Sequence, residues 1–233
     1  MKTTSPHSIP VPGTPSPHSG PSQRAPYRPT PDKDQIALLP QFERLHLDQI
    51  VLVSTAKDAD RACAALAQAP AWGFDTESKP TFVRAEVSEG PHIVQLATLE
   101  QAWVFQLHDP DCRARVAELL GLAGVIKAGF GLRDDTQRIR SKLGVEPVDV
   151  LELNTVFRER GYRKDMGVKG AVAVLFERRF IKSKKAATSN WANPHLTESQ
   201  LMYAANDAWA ALRVFQALGS SGAAPNTFAS PAP

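Results

Sequence analysis

The pattern of hydrophobic and polar positions changes partway along the chain. Short apolar runs come first, at Ile50–Val53, before Asp75, at Ile93–Ala97 and at Ala102–Leu107. Runs of this length are typical of strands. Residues 99–101 lie between the last two runs, and so short a connection predicts a hairpin. We therefore expect the strand leading to Asp75 and the two hairpin strands to be antiparallel neighbours.

Beyond residue 107, helical and strand patterns alternate. A helix over Arg113–Leu120 is expected to precede a buried strand over Gly124–Ala128, a second helix to start near Arg133, and another strand to lie near Val148–Leu151. Strands that alternate with helices indicate parallel crossovers. The prediction is an α/β fold: a mixed five- to six-stranded sheet, antiparallel in its first strands and parallel in its later ones, with helices on both faces.

Two further helix starts carry capping signals. Thr55 and Asp58 have capping-box spacing, and the helix they open should end by Pro70. Thr197 and Gln200 repeat the spacing and predict a long final helix. The buried face of the first of these helices is expected to comprise Ala62, Ala65 and Leu66.

Composition separates the two ends from the middle. Residues 1–34 are rich in proline and almost lack large apolar side chains, which predicts a disordered Pro-rich arm, with order beginning near Ile36. Residues 220–233 are expected to be a flexible tail, which leaves 35–219 as one domain. The arm has no apolar core of a signal peptide, although a transit peptide stays open as an alternative.

Charge, cysteine content and hydropathy indicate what kind of partner and which cellular compartment to expect. A formal charge of +3 is compatible with a polyanionic partner. Cys63 and Cys112 lack metal-ligand spacing and are interpreted as reduced thiols of a cytoplasmic protein. No segment is long and apolar enough to predict a membrane span.

The first stretch with candidate chemistry ends in Asp75 and Glu77. Alternate residues of a strand share a face, so these two carboxylates should point the same way. Burying two like charges is costly, and a divalent cation removes that cost. Oxygen ligands favour Mg2+ or Mn2+. The alternative is a pair of solvated acids in a turn.

The second stretch runs from Gly129 through Phe130 and Gly131 to Asp134 and Asp135. It lacks the third glycine of a dinucleotide fingerprint and the Gly-Lys-Ser/Thr of a P-loop, so no nucleotide cofactor is expected. Both acids fall in a first helical turn, where they can interact with the helix dipole. That role suffices for Asp134, whereas for Asp135 it stays open beside a functional one.

The third stretch places Tyr203 and Asp207 four residues apart, on one face of the long final helix. Tyr203 alone would be interpreted as a core or rim aromatic. Aspartate is a poor helix former, and Asp207 lies close to an apolar stripe, where it needs a partner. The stripe comprises Leu201, Ala205, Ala208 and Leu212.

Taken together and in this order, the three stretches resemble the exonuclease motifs of the DEDD superfamily, tyrosine branch. The chain is similar, over roughly residues 41–219, to the 3'-5' exonuclease domain shared by ribonuclease D and the Werner-type helicase-nuclease. The resemblance implies a ribonuclease H-like fold and release of nucleoside 5'-monophosphates from the 3' end of DNA and/or RNA.

The resemblance also implies a two-metal site. Asp75, Glu77 and Asp207 would ligate one Mg2+ or Mn2+. Asp75 would bridge to a second ion, which Asp135 would support through water. Tyr203 would orient the attacking water. These five residues are the expected catalytic set.

Contacts to nucleic acid are expected from basic and aromatic positions near the motifs. The lysines precede the third motif, where a phosphate contact and a solvated loop are both open. Phe130 could stack on a terminal base or serve packing alone. The predicted nucleic-acid-binding set is Thr76, Phe130, Lys182, Lys184 and Lys185.

Three classes of function follow. The first is an active exonuclease, and the second is a catalytically weak nucleic-acid-binding module on a nuclease fold. The third is a structural protein that offers its Pro-rich arm to partner domains. The complete set of acids, together with Tyr203, favours the first.

Overall fold

The computed structural model describes residues 26–81 and 89–220. The predicted arm falls largely on residues 1–25 and the predicted tail on 221–233, outside the described residues. Six strands occur in the described part: β1 Ile50–Val53, β2 Ala71–Glu77, β3 Ile93–Ala97, β4 Ala102–Gln106, β5 Ile126–Gly129 and β6 Val150–Glu152. The helices there are α1 Lys33–Leu38, α2 Ala56–Leu66, α3 Pro110–Gly121, α4 Leu132–Leu143, α5 Leu153–Glu159, α6 Gly167–Phe176, α7 Lys184–Ala187 and α8 Glu198–Ser220.

The strands form one mixed sheet in the order β1-β4-β3-β2-β5-β6. β2 pairs with β3 and β3 with β4 in antiparallel fashion, while β5 pairs with β2 and β6 with β5 in parallel. The predicted antiparallel and parallel halves are thus confirmed. β1 adds a parallel edge strand beside β4.

Helices cover both faces of the sheet, so the central strands are buried on both sides. On β3, Val94 and Leu96 join one apolar cluster, and Ile93 and Ala97 join the other. The first cluster includes buried residues of α2, α3 and α4, and the second includes those of α5, α6 and α8. Alternation along each strand therefore sends neighbouring residues into different cores.

Some boundaries and burial differ from the sequence-based expectation. Ala65 is exposed, because α2 buries a narrow stripe formed by Ala59, Ala62 and Leu66. The ordered chain includes α1 from Lys33, whose capping box is supplied by Asp32. α3 starts at Pro110, three residues early, since proline fits the first helical turn. Among the described residues, no helix has the length and hydropathy needed to span a membrane.

Helix α8 comes very close to strand β2 at Gly73. A Cβ atom at Gly73 would lie 1.8 Å from the carbonyl oxygen of Ala208 and 3.2 Å from Cβ of Leu212. A side chain cannot fit there without moving α8. Gly73 therefore sets the separation between the strand that carries Asp75 and the helix that carries Asp207.

Gly73→Ala should lower the free energy of unfolding by at least about 2 kcal/mol, because the added methyl group collides with helix backbone. Gly170→Ala is the matched control. Its Cβ would meet Met166 at 3.6 Å, an ordinary contact, and alanine in α6 should add roughly 0.5–1 kcal/mol. Urea denaturation of both variants checks this. Equal stability of Gly73→Ala and the wild type would contradict the packing argument.

Candidate active site

The candidate site lies where β2 ends against α8. Asp75 and Glu77 project from the same face of β2, two residues apart, and Asp207 reaches them from α8. One carboxylate oxygen from each acid lies within 4.8 Å of the others. The alternative of two solvated acids in a turn is therefore excluded for Asp75 and Glu77.

The position of α8 is fixed by hydrogen bonds at its N-terminus and at Asn206. Thr197 and Gln200 form the predicted capping box, in which each backbone N–H donates to the side chain of the other. Asn206, beside Asp207, accepts from the backbone N–H of Leu45 at 2.8 Å and donates to the carbonyl oxygen of Leu45 at 3.3 Å. These bonds hold the helix in the rotation that aims Asp207 at the sheet.

Burial raises the pKa values of the three acids, and repulsion by neighbouring carboxylates adds to the rise for Asp75 and Glu77. Burial, followed by the charges of Asp207 and Asp135, raises the pKa of Asp75 well above its usual range. Burial and the charge of Asp75 raise the pKa of Glu77 to about 9. Burial likewise raises the pKa of Asp207. Clustered carboxylates of this kind are stabilised by a bound cation.

The ammonium of Lys182 lies beside this cluster. Its Nζ atom lies 2.5 Å from Oδ2 of Asp207, whose side chain is only 3% exposed. The Lys182 ammonium and the Tyr203 hydroxyl both favour the charged form of Asp207. A carboxylate beside two further acids fits the donor set of a Mg2+ or Mn2+ site.

Tyr203 lies one helical turn before Asp207, as its spacing predicted. Its ring centroid is 5.1 Å from Nζ of Lys182 and 5.9 Å from the ring centroid of Trp191. Burial, together with the negative charge of Asp207, raises the pKa of the Tyr203 hydroxyl. The hydroxyl is therefore held in its protonated form, able to donate and to accept a hydrogen bond.

Asp135 stands next to the three-acid group and not within it. Its Oδ1 accepts a hydrogen bond from the hydroxyl of Thr76, and burial raises its pKa although this bond opposes the rise. Asp134 is exposed, whereas Asp135 is half-buried. Gly131, in the left-handed conformation with φ 72°, starts α4 and allows the turn that sets this rotation. Asp135 thus lies closer to the protein interior than its neighbour Asp134.

A cavity of about 380 Å³ opens beside the acids. Asp75, Asp207 and Lys182 line one part of it, and Phe130 lines another. The Phe130 ring is nearly parallel to that of Phe157, with centroids 6.4 Å apart, so one side of it packs on the core. The cavity therefore offers both charged and apolar surface next to the carboxylates.

The remaining predicted nucleic-acid contacts are placed differently. Lys184 and Lys185 are exposed on the short helix α7 and do not line this cavity. Thr76 is 7% exposed, and its hydroxyl is used by Asp135. Of the predicted nucleic-acid-binding set, Phe130 and Lys182 are the two that line the cavity.

Two polar residues near the acids, Gln95 and Asn154, were not predicted from the sequence. Gln95 lies directly opposite Asp75 across β2 and β3, is fully buried, and has no hydrogen-bond partner for its amide in the described ranges. The sequence pattern that could have identified Gln95 is a single polar residue within an otherwise apolar strand. Asn154 lines the cavity and accepts from the backbone N–H groups of Met166 and Gly167 at 2.9 and 3.2 Å. No local pattern marks that role.

The raised pKa of Glu77 predicts how stability depends on pH without metal. The pKa of Glu77 is about 9 in the folded protein and near 4.5 in the unfolded chain, so the folded state binds the proton more tightly. Stability should therefore fall as the pH rises between these values. Glu77→Gln cannot ionise and should stabilise the EDTA-treated protein more at about pH 8 than at about pH 5.

Thermal denaturation across this pH range measures the effect. Glu159→Gln, at an exposed position of α5, removes the same charge away from the site and is the control. A gain for Glu77→Gln that stayed constant or shrank with rising pH would contradict the assigned pKa shift.

Comparison with solved structures shows the same fold. The Nibbler EXO domain of Aedes aegypti superimposes with a TM-score of 0.64 at 22% identity, covering 76% of this chain and 90% of that chain. The Trypanosoma brucei RNase D complex with RNA U12 gives 0.66 at 20% identity, covering 81% and 65% respectively. The mixed sheet is accordingly ribonuclease H-like, as the resemblance implied.

Sequence comparison gives the family. The mouse bifunctional 3'-5' exonuclease/ATP-dependent helicase WRN is 29% identical over 160 residues, which cover 67% of this chain and 11% of that protein. A 3'-5' exonuclease of Arabidopsis thaliana is 24% identical over 148 residues, covering 63% of this chain and 51% of that protein. The chain thus spans about half or less of these relatives. The family model for 3'-5' exonucleases matches residues 50–222, and the chain belongs to this 3'-5' exonuclease family.

Proposed function

We propose that the protein is an active, metal-dependent exonuclease that removes nucleoside 5'-monophosphates from the 3' end of DNA and/or RNA. The observation that carries this proposal is the group of three carboxylates, one buried and two half-buried, with one oxygen of each within 4.8 Å of the others. An array of this kind destabilises the protein unless cations neutralise it, so its presence favours a catalytic use.

Two ions of Mg2+ or Mn2+ are proposed for the site. Asp75, Glu77 and Asp207 would hold one, and Asp75 together with Asp135 would hold the other. A pair of such ions, when bound, stabilises the attacking and leaving oxygens of a phosphoryl displacement. Asp135 is supported for this role by its half-buried position and by the hydroxyl of Thr76, which orients its carboxylate.

Tyr203 is proposed to position the attacking water. Its raised pKa keeps the hydroxyl protonated, so it contributes by hydrogen bonding and orientation and not as a strong base. Packing against Trp191 restricts the ring. Holding the water in line with the scissile bond is the contribution that this geometry supports.

The terminal nucleotide is proposed to enter the cavity beside the acids. Phe130 would offer the free part of its ring to the base, and Lys182 would face a phosphate. Lys184 and Lys185 on α7 would add longer-range attraction for the strand. Thr76 would act mainly through Asp135.

The free thiols of Cys63 and Cys112 are compatible with the proposed cytoplasmic location.

Digestion of matched DNA and RNA oligonucleotides, labelled at the 5' end, tests the activity. With Mg2+ or Mn2+ each susceptible strand should give a descending ladder, and EDTA should abolish it. Asp75→Ala should remove cleavage while leaving the fold intact, because it relieves carboxylate repulsion. Binding without cleavage would support the alternative of a nucleic-acid-binding module, and cleavage of a closed circle would refute exonuclease action.

The two adjacent aspartates of α4 give a sharper test. Asp135→Asn should reduce the cleavage rate by roughly a hundredfold or more, because it removes a charge beside the cluster. Asp134→Asn is the matched control, at an exposed position, and should cost little activity and at most about 1 kcal/mol of stability. Single-turnover rates and thermal denaturation check both. The reverse ranking would rule out Asp135 as support for the second ion.

A further inference from the structure

We propose that Lys182 is a resident cation of the metal-free site, and that a divalent ion can bind Asp207 only after the Lys182 ammonium leaves it. This inference rests on the proposed metal-dependent function and adds a regulation of its metal affinity. In this role the Lys182 ammonium competes with the metal ion for the Asp207 carboxylate, in addition to any contact that it makes with nucleic acid.

The first support is the position of the ammonium. Nζ of Lys182 lies 2.5 Å from Oδ2 of Asp207, which is one of the three acids with converging oxygens. The Asp207 side chain is 3% exposed and the Lys182 side chain 27% exposed. A buried carboxylate that keeps one close cation has little room for a second on the same oxygen.

The second support is a further contact that holds the ammonium in place. The ammonium also lies over the ring of Tyr203, 5.1 Å from its centroid, in cation–π geometry. Lys182 therefore contacts both halves of the third motif.

The third support is that Lys182 can leave without unfolding its segment. The backbone is anchored on both sides, by Phe180 at 5% exposure and by Ala186 at 3% exposure. Ser183 caps α7 by accepting from the backbone N–H of Ala186 at 3.2 Å. Rotation of the flexible lysine stem is enough to move the ammonium into the adjoining cavity, which Lys182 already lines.

Competition predicts that removing the ammonium strengthens metal binding. Lys182→Met keeps the apolar stem and removes the charge. Its affinity for Mn2+ should rise by about tenfold, the order expected when a partly screened ion pair no longer has to be broken. Lys182→Arg retains a cation and should bind Mn2+ as weakly as the wild type.

The matched control is Lys169→Met. Lys169 is exposed on α6, and its positive charge acts on Asp207 at longer range. Loss of either lysine weakens the electrostatic repulsion of the metal ion. If net charge alone governed metal affinity, Lys169→Met would therefore raise the Mn2+ affinity as Lys182→Met does. If occupancy of Asp207 governs it, Lys169→Met should leave the Mn2+ affinity within about twofold of the wild type.

Isothermal titration of the full chain with MnCl2, without nucleic acid, measures these affinities. About pH 8 is suitable, because protons compete less with the metal for carboxylate ligands at higher pH. Tighter binding by Lys182→Met, with Lys182→Arg and Lys169→Met unchanged, supports the proposal. Unchanged or weaker binding by Lys182→Met, or an equal gain in Lys169→Met, overturns it. Absence of Mn2+ binding in every variant overturns the proposed metal site itself.

Discussion

The contact between α8 and β2 at Gly73 is the constraint on which the site depends. Because Gly73 has no side chain, the backbone of Ala208 lies against the strand, and a Cβ atom there would come within 1.8 Å of its carbonyl oxygen. Asp207, the residue before, is thereby brought to Asp75, two residues beyond Gly73 along the strand. The core packing and the convergence of carboxylates are two results of one close approach.

That convergence has an electrostatic cost which shapes the surroundings of the site. Acids packed together raise one another's pKa values, and the ammonium of Lys182 neutralises part of their negative charge. The hydroxyl of Thr76 does the same on a smaller scale for Asp135. The amide of Gln95, which has no hydrogen-bond partner among the described residues, lies next to the cluster on the face of the sheet that the acids occupy. Such local conflicts are typical of functional sites.

The sheet explains why acids so far apart along the chain can meet. β2 lies at the junction of the antiparallel and parallel halves, paired with β3 on one side and β5 on the other. α4 follows β5, so its first turn brings Asp135 to the end of β2 where Asp75 lies. The final helix then covers the second apolar face and supplies Asp207. Each motif occupies a separate element, and the topology joins them.

The amino-acid sequence by itself determined the elements and the identity of the acids. Period-two and helical spacing are local properties, so the strands, the capping box at Thr197 and the shared face of Asp75 and Glu77 could be predicted. The contacts of Lys182 with Asp207 and of Thr76 with Asp135, and the burial of Gln95 opposite Asp75, could be seen only in the folded chain. They depend on strand register and helix position, which distant segments set together, and not on the spacing of neighbouring residues.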